Sequence, residues 1–159
     1  MPDPKGDLDD PYALGRFASA QDAHGTYSDA VRQLRAGRKT GHWMWFVFPQ
    51  VAGLGQSAMS RQYAISSLDE ARAYLSHPVL GPRLIECSRI LTELRGRTAE
   101  EILGTTDAMK LQSSMTLFAL ASPEVPVFRE ILEKYFEGMM DSGTGPQLGL
   151  PSDRKISGS

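Results

Sequence analysis

From Ser67 to Gly138 the chain carries a close succession of helix starts and stops, and this punctuation limits the fold more than any other feature. Ser67-Leu68-Asp69-Glu70 has the form of a capping box, in which a hydroxyl and a carboxylate satisfy the first free N–H groups of a helix. Leu68, Ala71 and Leu75 continue one apolar stripe up to His77-Pro78, which predicts a helix over 68–76. Pro82 suits a first turn, and Leu80, Leu84, Cys87, Leu91 and Leu94 then step by four and three until Gly96, predicting a long core helix over 82–95. Thr98-Ala99-Glu100-Glu101 is a second capping box, feeding Ile102 and Leu103 with Gly104 as its stop. Leu111, Met115 and Phe118 mark a helix over 107–121. Ser122-Pro123 opens another over 123–137, with Val125, Phe128, Ile131, Leu132, Tyr135 and Phe136 on one side and Gly138 at its end.

Upstream, Asp10-Pro11 reads as an N-cap followed by a first-turn proline, ahead of Leu14, Phe17 and Ala18. Tyr27, Ala30, Val31 and Leu34 repeat at helical spacing until Gly37, which suits a left-handed stop, so a second helix is predicted over 27–36. Period-two alternation is confined to one stretch. The expected class is therefore all-α, a compact single-domain bundle over residues 11–148. Residues 1–10, with four aspartates and two prolines, read as a flexible lead, and 149–159 as a flexible tail. The polar run Asp141-Ser142-Gly143-Thr144-Gly145-Pro146 also reads as loosely ordered.

Charge and cysteine content narrow the functional classes. A net charge of −2 argues against a nucleic-acid partner. No run approaches the roughly 18 apolar residues of a bilayer span, and the acidic opening Met1-Pro2-Asp3-Pro4-Lys5-Gly6-Asp7 is unlike a signal peptide, so no membrane partner is expected. The single Cys87 forms no internal disulfide and fits a reducing, cytoplasmic home; on the core stripe it reads as inert filler. His24, His42 and His77 lack metal-ligand spacing, so no metal and no cofactor is implied. Nothing in the chain speaks to oligomeric state.

The segment His42-Trp43-Met44-Trp45-Phe46-Val47-Phe48-Pro49-Gln50 holds both tryptophans and is apolar on every side. It fits a buried strand or a buried helical turn, and the helices around it favour a short helix ended by Pro49. Its plain structural account is the centre of the core. Its functional account is a tryptophan-walled pocket bracketed by His42 and Gln50, where planar ligands stack.

Gly37-Arg38-Lys39, this aromatic block, Gly53-Leu54-Gly55, Tyr63-Ala64-Ile65, His77-Pro78-Val79-Leu80-Gly81 and Ser113-Ser114-Met115-Thr116-Leu117-Phe118 together resemble the bacterial and fungal family catalogued as domain of unknown function 1810. The resemblance spans residues 11–148 and implies a compact helical fold with no established activity. Gln112 departs from the arginine expected there.

Three further clusters carry chemistry. Gly53-Leu54-Gly55-Gln56-Ser57-Ala58 formally matches a dinucleotide fingerprint, but no strand pattern follows it, so it reads as a turn whose amides suit an anion. Arg32, Arg35, Arg38 and Lys39 complement the dipole of the second helix, or else form the charged lip of a pocket. Lys110, Gln112, Ser113, Ser114 and Thr116 crowd polar groups into an apolar helix. Small hydroxyls bonding back to carbonyls one turn earlier would explain the last cluster; a polar pocket wall anchored by Lys110 is the alternative.

The resulting expectation is a small cytosolic enzyme, of hydrolase type, for a compact, partly planar, anionic or nucleotide-like small molecule. His42 serves as acid/base and Lys110 as the charge anchor, with Arg38, Lys39, Trp43, Trp45, Gln50, Ser113 and Ser114 as ligand contacts. ADP-ribosyl or N-glycoside chemistry suits such a site by analogy. The alternative is a non-catalytic interaction or ligand-binding module, suggested by the amphipathic helices and Met139-Met140. An enzyme should bring His42 and Lys110 into one cavity, whereas a module should expose an apolar patch.

Overall fold

The computed structural model describes residues 10–150 and is all-helical, as the capping and periodicity predict. The flexible lead and tail expected at the two ends fall almost wholly outside those residues. In chain order the helices are α1 (Gly15–Asp22), a 3-10 turn (Ala23–Gly25), α2 (Thr26–Ala36), α3 (Met44–Val47), α4 (Ala58–Gln62), α5 (Leu68–Ser76), α6 (Leu80–Glu93), α7 (Ala99–Leu103), α8 (Thr105–Ala121), α9 (Val127–Phe136) and α10 (Thr144–Gln147). Among the described residues no helix is long and apolar enough to cross a membrane.

α8 is the hub, packing against α5, α7, α9 and α10, while α6 packs against α2, α3, α5 and α9. Such a helix must be apolar nearly all round. Leu111, Met115, Leu117 and Phe118 are accordingly buried together with Ser113, Ser114 and Thr116. The aromatic block enters this core as the short helix α3. Trp43, Met44, Val47 and Phe48 are buried, and Pro49 follows.

The local signals held where their partners are local. Thr98 and Glu101 complete a reciprocal capping box at α7. Ser67 caps α5 by accepting from the Glu70 N–H at 3.0 Å, but the Glu70 carboxylate turns away, accepting from Ser66 and pairing with Arg16 at 3.2 Å. α6 starts two residues before Pro82, because His77 Nδ1 accepts from the N–H groups of Val79 and Leu80. α9 starts at Val127 rather than near Pro123, the second proline, Pro126, being the one that sits at its N-cap. Asp10 caps at a distance: its carboxylate accepts from Leu14 and Gly15, so α1 begins at Gly15.

One correction bears on function. The run from Asp141 to Pro146 is docked rather than loosely ordered. Gln112 donates to the Met139 carbonyl at 2.9 Å, and Thr116 Oγ1 accepts the Asp141 N–H at 2.9 Å. Met140 and Thr144 are buried as a result.

Candidate functional site

The polar residues of α8 divide by height along the helix. Asp107, in its first turn, reaches the aromatic block: its Oδ2 lies 2.7 Å from Lys39 Nζ and its Oδ1 3.2 Å from Lys110 Nζ. Each lysine in turn lies over an indole. Lys39 Nζ is 5.2 Å from the Trp43 ring centre and Lys110 Nζ is 4.8 Å from that of Trp45, both within cation–π range. One carboxylate thus joins two lysines, and the two lysines cover the two tryptophans.

The Trp43 side is closed. Gln33 Oε1 accepts from Trp43 Nε1 at 2.8 Å and from the N–H groups of Thr40 and Gly41, while Lys39 also donates to the Gly41 carbonyl. This clamp fixes residues 40–43 with the indole inward, and the next side chain back, His42, is left exposed. The Trp45 side is open. Its Nε1 is buried without a hydrogen-bond partner among the described residues, and its ring is part-exposed.

Next to Lys110 lies a cleft of about 450 Å³. On one side it is lined by Thr106, Met109, Lys110 and Ser113 of α8, and on the other by Gln50, Leu54, Gly55, Gln56, Ser57 and Ser60. Asp141 completes the lining. The second wall is a loop clasped at its base by the parallel bridge of Val51 with Ile65. Its glycines have a steric reason. A methyl on Gly55 would overlap Ser60, and one on Gly53, held at φ 99°, would overlap the carboxamide of Gln147. The spacing that imitates a dinucleotide fingerprint therefore comes from packing the turn between α4 and α10.

Of the residues singled out in the sequence, Lys110, Ser113 and Gln50 line this cleft. His42 and Arg38 are exposed and do not line it, so His42 and Lys110 are not presented as an acid/base and anchor pair in this cleft. Lys39 is turned inward, its side chain 8% exposed, and forms no lip. Arg32, by contrast, pairs with Asp29 on the surface. Trp43 is 2% exposed and Ser114 fully buried, so neither is available to a ligand. With a lysine over one face of each ring, the indoles are not open walls for a planar ligand. Ser113 and Thr116 bond back to the Met109 and Gln112 carbonyls, as small hydroxyls in a crowded helix do, while Ser114 Oγ has no partner among the described residues. Gln112, the departure from the family pattern, is committed to the Met139 carbonyl.

Asp107 is the site residue that sequence reading missed. Its one local signal is its place three residues before Lys110 on the same helix face, where opposite charges pair. Wider hollows lie elsewhere but offer less to a ligand. One of about 590 Å³ along α6 sets Arg35 and Arg89 against Glu86 and Glu93. In another, beside Gly96, the Lys134 ammonium is spent on the carbonyls of Thr92 and Leu94. Burial pushes the Cys87 thiol up to about 12, with the donor hydroxyl of Tyr27 working the other way, so it remains an unreactive thiol at neutral pH.

The crystal structure of the conserved hypothetical protein Rv1873 from Mycobacterium tuberculosis is similar to the chain at 51% identity and a TM-score of 0.85, covering 89% of this chain and all of that one. No curated protein matches. The family model described as protein of unknown function (DUF1810) matches residues 11–148, the whole helical body with its docked C-terminal segment, and the chain belongs to that family.

Proposed function

We propose that the chain binds a compact anionic small molecule in the cleft between the Gly53–Ser57 turn and α8, with Lys110 as the charge anchor. The observation that supports this reading is convergence. One ammonium group, four hydroxyl side chains (Ser57, Ser60, Thr106, Ser113) and two carboxamides (Gln50, Gln56) line a single hollow of ligand size. Lys110 is preorganised for the task, because Asp107 and the Trp45 ring hold its side chain in place at little entropic cost on binding. The reading is of binding rather than turnover, since the acid/base role assigned to His42 requires it to face the same hollow. An interaction module is less well supported: Val79 and Met109 are the exposed large apolar side chains among the described residues, too few for an extended apolar face.

The test is an amide chemical-shift titration with inorganic phosphate and with butyrate. Both should move Gly55, Gln56 and Ser57 in the native protein, and Lys110→Met should remove the response while His42→Ala and Arg38→Ala keep it. An unchanged response in Lys110→Met would overturn the reading.

A further inference from the structure

We propose that the ligand of this cleft is bipolar, with an anionic group at Lys110 and a protonated amine, or an equivalent N–H donor, at Asp141. This rests on the reading of the cleft given above and adds the chemistry of the ligand's second end. Both residues line the same hollow, Lys110 from α8 and Asp141 from the segment after α9. Asp141 is firmly positioned: its N–H donates to Thr116 Oγ1, and its Oδ2 accepts from the Gly143 N–H at 3.2 Å and the Thr144 hydroxyl at 2.7 Å. Both of those bonds fall on one oxygen. Oδ1 accepts from no described residue, and no described lysine or arginine pairs with the carboxylate. Asp141 is part-exposed, so its Oδ1 is open to the hollow and able to accept from a ligand's donor.

The charge balance points the same way. Lys39 and Lys110 against Asp107 and Asp141 sum to zero, so a simple anion leaves the region negative, whereas a ligand with both signs leaves it neutral. Leu54 and Met109 supply apolar lining in the same hollow, matching a short hydrocarbon spacer between two charged ends.

The experiment titrates the full chain with glycine, β-alanine, 4-aminobutyrate and 6-aminohexanoate, alongside butyrate and butylamine as single-charge controls, by calorimetry and amide shifts. At least one amino acid should bind about tenfold or more tighter than both controls. Asp141→Asn keeps an oxygen for Gly143 and Thr144 and removes a negative charge, so it should cancel that advantage while butyrate binds at least as tightly as to the native chain. If butyrate binds through Lys110 as tightly as every amino acid, the bipolar ligand is overturned and the anion reading stands. If neither class moves the cleft amides, both fall. Should Asp141→Asn not fold, the ligand series decides the matter alone.

Discussion

Trp43 and Trp45 are separated by one residue, each lies beside a lysine, and the two lysines share one carboxylate, yet their surroundings differ in kind. Around Trp43 the indole N–H, the nearby backbone N–H groups and the Lys39 ammonium all have partners, and the side chain is 2% exposed. Around Trp45 the indole N–H has none among the described residues, the ring is part-exposed, and its lysine borders an open cleft. A closed polar network gives rigidity, whereas a buried donor without a partner costs stability. The same sequence motif therefore supplies a structural pin on one side and, on the other, a ring that supports the lysine bordering the cleft.

The largest expected effect separates the two tryptophans. Trp43→Ala should cost about 3–5 kcal/mol, from the void it leaves and from Gln33 losing a buried donor. Trp45→Ala should cost clearly less, because part of the ring already faces water. Urea midpoints at constant m would show this, and equal costs would erase the distinction between the two sides.

Asp107→Asn probes the link between the sides. Lys39 has an 8% exposed side chain, so losing its counter-charge should destabilise by about 2–3 kcal/mol. Lys110→Met removes a more exposed partner of the same carboxylate and should cost about 1 kcal/mol or less. Thermal melts of the two variants sharpen the comparison, and a larger loss in Lys110→Met would reverse it. The smallest effect concerns Ser114, whose buried hydroxyl has no partner among the described residues. Ser114→Ala should leave stability unchanged or raise it by up to about 1 kcal/mol, since alanine removes an unsatisfied group and favours the helix. A loss of more than that would reveal a hidden bond to Ser114.

How far the chain could be read tracks how local each signal is. Thr98 with Glu101 and the left-handed Gly37 after α2 are complete within a few residues, and they appeared where expected. Glu70 had the right spacing for a capping box, yet a distant Arg16 and the adjacent Ser66 claimed its carboxylate. Lys110 was legible as the one cation in a buried helix face, but its partner Asp107 also belongs to Lys39, and no periodicity links a residue of the loop after α2 to a helix far along the chain. The stretch around Asp141 has the composition of a loop. What orders it is Gln112 and Thr116 on α8, whose polarity was noticed while its purpose was hidden.

That docking gives the cleft a place in the timetable of synthesis. Residues 139–148 leave the ribosome after every helix of the core, so a nascent chain that has emerged as far as Gly138 holds both tryptophans, Lys110 and the glycine turn but lacks the strip bearing Asp141, Thr144 and Gln147. Until that strip settles onto Gln112 and Thr116, the Gly53 turn has no Gln147 to rest against and the cleft stands open on one flank. On the binding proposed above, ligand capture follows the docking of this strip, because a chain that ends at Gly138 lacks one flank of the cleft.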